Sequence, residues 1–244
     1  MKDIKNKEKT HKKMKEGLVH VCFVLDESGS MSYNEGDVKG GFKKVIEEQK
    51  ALTDGGCIVS LYKFNNTVKE VYLGKDVKEI DSDNLDYSPG GMTAMNDGIG
   101  TAIDSVGKWL AAKDESERPE KNLIIIMTDG AENASHEYSL EQVREKIKHQ
   151  TEKYDWSFVY MGTDVTDSSY TNNLMGGIKN CTSLYNSRDN HTENYSLCCS
   201  VATTWRGMKG STYAMKSATL EADLTTAADS LTEKYEKKLG RKIK

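Results

Sequence analysis

No stretch of the chain is apolar for long enough to span a membrane, and the segment at its start lacks the apolar core of a secretory signal. These absences point to a cytoplasmic protein that does not enter a bilayer. The five cysteines are odd in number, which argues against a disulfide framework and for reduced thiols. Cys22 and Cys57 fall in apolar runs and read as small core residues, while the neighbours Cys198 and Cys199, on a predicted helix, point to different faces and do not suit zinc. His11, His20, His136, His149 and His191 lack metal spacing, and His20 reads as a hydrogen-bonded core or edge residue. The chain has no H-E-x-x-H, no nucleophile elbow and no Gly-rich phosphate loop; Gly36, Gly40 and Gly41 sit in the opening turns of a predicted helix. Positive charge is also short, for a net charge of −4 carries no nucleic-acid signature. Residues 234–244 turn basic, and residues 1–16, with seven lysines against three acids, read as a flexible solubilising arm.

What the chain does have is a set of oxygen-bearing side chains at predicted strand ends. Leu18 to Leu25 is β-branched and aromatic and reads as a buried parallel strand, followed at once by Asp26-Glu27-Ser28-Gly29-Ser30. Leu123 to Met127 is a second such run and ends in Thr128-Asp129-Gly130. Between them, Ser88-Pro89-Gly90-Gly91-Met92-Thr93 is a turn-rich loop that delivers a threonine hydroxyl just before a predicted helix. One carboxylate and two hydroxyls at a strand's carboxyl end begin an all-oxygen, hard-cation site, placed where open α/β sheets bind ligands.

The ordered pattern D-x-S-x-S, then a threonine in a Gly-rich loop, then T-D-G after an apolar strand, resembles the metal-ion-dependent adhesion site of von Willebrand factor type A domains. The resemblance covers roughly residues 18–205. It implies that Asp26, Ser28, Ser30, Thr93 and Asp129 form a ligand set for Mg²⁺, with Mn²⁺ or Ca²⁺ as alternatives, and that the partner is a protein presenting an Asp or Glu carboxylate. Only two of these five side chains are charged, so a cation held by them keeps much of its charge and an open position. The chain is similar, more specifically, to small intracellular bacterial and phage members of the family.

Strand and helix patterns alternate. Ser32 to Lys50, 94–112 and 139–153 are predicted helices; Cys57 to Phe64 and Thr67 to Leu73 flank a hairpin turn at Asn65-Asn66; Trp156 to Met161 is a further strand. A short helix over 164–177, a strand over 180–185 and a closing helix over 192–208, striped with Leu197, Val201 and Trp205, complete a doubly wound, Rossmann-like, mostly parallel sheet with one antiparallel edge and helices on both faces. The predicted organisation is the arm over 1–16, a type A domain over 17–209 and a C-terminal helical extension over 210–244. Trp109, Trp156 and Trp205 read as core anchors.

Around the site, Glu27 is expected to point outward and add negative potential. Asp97 is expected in a helix's first turn, where a carboxylate favours the helix dipole. Glu132 and Asn133 could hold waters or orient Asp129, or Asn133 and Ser135 could cap the next helix, and capping or loop solvation is preferred. The function expected is metal-dependent protein recognition without catalysis. Two alternatives stand beside it: a Mg²⁺-dependent phosphohydrolase or phosphotransferase, which lacks its usual second acid because that position is Ser28, and a structural component locked in a permanent complex.

Overall fold

The computed structural model describes residues 14–162 and 168–185 together with Cys199, Ala202, Thr203, Arg206, Glu233 and Lys237. Six strands form one sheet: β1 (Lys15–Asp26), β2 (Gly56–Phe64), β3 (Val68–Asp76), β4 (Pro119–Thr128), β5 (Ser157–Gly162) and β6 (Cys181–Tyr185), in the order β3-β2-β1-β4-β5-β6. All neighbours pair parallel except β2 and β3, whose hairpin makes β3 an antiparallel edge. The mixed edge and the doubly wound order match the sequence expectation. β1 takes in Lys15 and Glu16, the last two residues assigned to the arm.

Four helices connect the strands: α1 (Glu35–Ala51), α2 (Met95–Ala111), α3 (Leu140–Tyr154) and α4 (Ser168–Met175). Period-two alternation divides the strands' side chains between two cores. Val19, Val21, Phe23, Leu25, Leu123, Ile125 and Met127 meet Phe42, Val45 and Ile46 of α1 on one face. Cys22, Val24, Ile124 and Ile126 meet Ile99, Ile103 and Val106 of α2 and Val143 and Ile147 of α3 on the other. Burying both faces explains why the central strands read as continuous apolar runs. A 3-10 turn over Gly29–Tyr33 precedes α1, so that helix begins three residues later than its expected start at Ser32.

One polar chain crosses four strands beneath α2. Asn122 Oδ1 on β4 lies 3.1 Å from His20 Nδ1 on β1, His20 Nε2 lies 2.8 Å from Ser60 Oγ on β2, and Gly74 N on β3 donates to the same hydroxyl at 2.9 Å. An amide oxygen only accepts, so Nδ1 carries the proton, and the Ser60 hydroxyl donates to Nε2. Burial lowers the His20 pKa to about 4, against the pull of Asn122, and keeps the ring neutral.

Cys199, Ala202, Thr203 and Arg206 are helical, in the expected closing helix, and Cys199 and Ala202 join the core on the α1 side. The stripe of Leu197, Val201 and Trp205 lies outside the described residues, as do residues 1–13 and all of the C-terminal extension but Glu233 and Lys237. Arg206, 3% exposed, reaches the end of α1, where its guanidinium donates to the carbonyls of Gln49, Leu52 and Asp54 at 2.5, 3.2 and 3.1 Å. Last-turn carbonyls have no partner within their own helix, and Arg206 supplies one from about 150 residues away. Among the described residues no helix is long and apolar enough to cross a membrane.

Candidate functional site

β1 sends its connection to β2 on one side while β4 lies on the other, so the crevice at their carboxyl ends is the topological switch point of the sheet. Asp26 ends β1, and Asp129 follows β4 directly. Asp26 is fully buried: its Oδ1 accepts from Ser28 N at 2.7 Å, turning the chain sharply, and its Oδ2 accepts from Thr128 Oγ1 at 2.6 Å. Burial raises its carboxyl to about 6; the bonds from Thr128 and Ser28 pull it down and the Asp129 charge pushes it up. The Ser28 and Ser30 hydroxyls lie 3.1 Å apart. Buried Met31 pins the intervening turn to the core.

The structure brings the sequence-predicted donors together. A β-carbon placed on Gly130 would stand 3.1 Å from Thr93 Oγ1, 3.3 Å from Ser30 Oγ and 3.6 Å from Asp26 Oδ2, so three donors from two loops face one small space. Asp129 Oδ2 accepts from Asn34 Nδ2 at 2.8 Å, while its Oδ1 is buried with no hydrogen-bond partner. Among the described residues no three His, Cys, Asp or Glu side chains gather as a metal group; the five donors are two carboxylates and three hydroxyls.

The threonine loop is fastened from both sides. Gly90 N donates to Glu27 O at 2.8 Å, Gly29 N to Gly91 O at 3.1 Å, and the Tyr87 hydroxyl to Asp26 O. On the other flank Ala94 N donates to Asn65 O at 2.8 Å and Met92 N to Asn66 Oδ1 at 3.0 Å, so the β2–β3 turn grips the loop. Gly91, at φ +84°, lets the backbone approach Asn66 that closely; a β-carbon there would collide with its amide oxygen.

Two expectations around the site are corrected, and a third is extended. Glu27 does not point outward: it accepts from Lys63 Nζ and Ser88 N, both at 2.7 Å, because Lys63 is itself 3% exposed within β2 and needs a counter-charge. Neither Asn133 nor Ser135 caps α3. Asn133 Oδ1 instead accepts from Thr93 N at 2.9 Å while its own N donates to Thr93 O at 3.1 Å, a reciprocal clamp on the threonine. Glu132 accepts from Asn96 N at the start of α2 and from Ala134 N and Ser135 N. The cap of α3 is Ser139, in a capping box with Gln142, whose S-x-x-Q spacing is the signal that could have located it. Asp97 does lie in the first turn of α2, but its carboxylate also accepts from the backbone nitrogens of His136, Glu137 and Tyr138, all within 2.9 Å.

Asn34, Thr128 and Lys63 are the residues that sequence reasoning did not assign, and Asn133 is one to which it gave another role. Lys63, a lone charge within an apolar strand run, was the one with a visible signal.

The profile of the von Willebrand factor type A domain matches residues 20–193. The chain belongs to that family. Solved structures agree on the fold of this type A domain. It is similar to the von Willebrand factor domain of the type V pilus tip protein Mfa5 from Porphyromonas gingivalis (TM-score 0.59, 10% identity, 79% of this chain and 97% of that one). It is similar also to proximal thread matrix protein 1 of the mussel byssus (TM-score 0.56, 19% identity, 77% of this chain) and to the PilB minor pilin of Streptococcus sanguinis (TM-score 0.56, 13% identity, 81% of this chain). This chain spans 46% of the byssus protein and 63% of the pilin. Comparison with curated protein sequences gives no match.

Proposed function

We propose that this type A domain recognises a partner protein through a divalent cation, Mg²⁺ by preference, held by Asp26, Ser28, Ser30, Thr93 and Asp129, with an Asp or Glu carboxylate of the partner as the external ligand. The observation that carries the reading is Asp129 Oδ1, a buried carboxylate oxygen with no hydrogen bond, on the residue before Gly130, whose α-carbon Thr93, Ser30 and Asp26 face. A buried unpaired carboxylate oxygen is costly unless something cationic answers it. The donor set fits: all ligands are oxygen, and three are neutral. A cation bound there supplies an electropositive open position for a partner's carboxylate oxygen. The protein's own part is to hold Asp26 by Ser28 and Thr128, Asp129 by Asn34, and Thr93 by Asn133.

Recognition without catalysis is the reading favoured over phosphoryl transfer. The residue two beyond Asp26 is Ser28, where an acid would be needed, and the nearby buried Lys63 has its ammonium engaged by Glu27 and by the Asp86 carbonyl at 2.5 Å. A cytosolic setting is proposed from the thiols of Cys22 and Cys57, which are buried and form no disulfide, with burial pushing the Cys57 thiol up to about 12. Pilus and byssus proteins share the fold, and fractionation of the host cell tests the placement.

Calorimetric titration of Mg²⁺ and Mn²⁺ into the metal-free protein, with Asp26→Ala and Thr93→Ala alongside, tests the site. One saturable event lost in both variants is the expected result; no event in the wild type overturns the proposal. Magnesium-dependent turnover of a phosphate ester, abolished in Asp26→Ala, would replace the binding reading with the enzymatic one.

A further inference from the structure

The described residues leave five large apolar side chains exposed, and two of them stand in the loops that carry the candidate donors. Tyr33, 80% exposed, closes the turn that holds Ser30; Met92, 48% exposed, immediately precedes Thr93. The Gly29–Gly91 backbone bond brings these two loops side by side. Scattered exposed apolar residues need no explanation, but a pair bordering a polar centre forms the apolar part of a contact surface.

Charge narrows the partner further. The three loops, residues 27–35, 87–94 and 129–139, contain no Lys or Arg and five acids: Glu27, Glu35, Asp129, Glu132 and Glu137. No basic side chain of these loops is present to reward a second carboxylate on the partner; Glu35 is neutralised by Lys39 of α1 at 2.5 Å, and Glu137 opposes a second carboxylate.

We infer that this surface selects a partner carboxylate carried singly and flanked by a large apolar side chain, with Tyr33 and Met92 as the specificity-determining contacts. The inference rests on the metal-site reading above. The carboxylate fixes register at the cation, and the apolar neighbour covers the tyrosine ring and the methionine thioether. Tyrosine supplies wide contact at small entropic cost, and methionine adapts its shape to the neighbour it meets. An acidic run would bring repulsion without adding contacts.

Selection of a phage-displayed library of disulfide-closed peptides on the full chain in Mg²⁺, with elution by EDTA, tests this. The recovered peptides are expected to carry one Asp or Glu beside Leu, Phe, Tyr, Trp or Met. A peptide so recovered is expected to bind Tyr33→Ser and Met92→Ser about tenfold more weakly each, with the Mg²⁺ titration of both variants unchanged. If Mg²⁺ titrates normally but the eluted peptides are acid-rich or lack an apolar neighbour, if no peptide elutes, or if both variants bind like the wild type, this inference falls while the metal site stands. Absence of Mg²⁺ binding by the wild type brings down the metal-site reading, and this inference with it.

Discussion

Asn34 donates its amide hydrogen to Asp129 Oδ2 at 2.8 Å across 95 residues of sequence and leaves Asp129 Oδ1 buried and unbonded. The asymmetry gives the carboxylate one fixed oxygen and one oxygen available to a ligand.

Removing that hold has a defined effect on the proposed site. Asn34→Leu frees the Asp129 carboxylate to rotate without altering a donor. Mg²⁺ affinity is expected to fall about 10- to 100-fold by calorimetry, the range for partners that orient metal ligands. Unchanged affinity would show that the Asp129 rotamer is set by something else.

Gly130→Ala addresses the space itself. Its backbone lies outside the left-handed region, and the added methyl meets hydroxyl and carboxylate oxygens at 3.1 to 3.6 Å rather than backbone. The variant is expected to fold with a stability change within about 1 kcal/mol, yet to show no Mg²⁺ heat. Normal Mg²⁺ binding by this variant would place the cation elsewhere.

His20 makes stability depend on pH with a known sign. The unfolded chain protonates the ring near its ordinary 6.5 and the folded protein near 4. Between those values the unfolded state binds the extra proton, so this contribution is complete above about pH 6.5 and is lost as pH falls toward 4, by about 3 kcal/mol at the lower end. Asp26, raised to about 6, acts in the opposite sense over much of the same window. The comparison is therefore between wild type and His20→Gln, in which the Asp26 contribution cancels. Their urea-unfolding free energies are expected to converge, or cross, as pH drops from 7 to 4. A pH-independent difference would mean that the ring titrates normally in the folded state.

Arg206→Lys keeps the charge but cannot reach three carbonyls at once. A loss of about 3 kcal/mol in urea unfolding is expected, since the Gln49 carbonyl in the last turn of α1 and the Leu52 and Asp54 carbonyls beyond it lose donors. A change below 1 kcal/mol would mean that water replaces the guanidinium there.

The strands and the loop positions of the five candidate donors were legible because each is local. An apolar run announces a buried strand, and the residue after it is at the sheet's edge by construction. What holds the donors was not legible. Asn34 meets Asp129, and Asn133 meets Thr93, across 95 and 40 residues, and no periodicity encodes such pairs. Glu27 was misread for a related reason: alternation says which face a side chain takes but not that a buried lysine 36 residues away will draw it in. The preferred helix cap failed because Asn133 and Ser135 had partners in α2 and its preceding loop, and Ser139 stood nearer to α3.

The parallel pairing of β1 with β4 also fixes when the site can exist. Asp26 and Thr128 are hydrogen-bonded across 102 residues, and β1 gains its β4 neighbour only after the hairpin and two helices have been made. A nascent chain that has not yet produced β4 holds Asp26, Ser28, Ser30 and Thr93 but not Asp129. The donor set is thus completed by one of the longest-range strand pairings in the molecule, a late event in folding. A metal ion could not template this fold from its first half; it could only stabilise a sheet that had already closed.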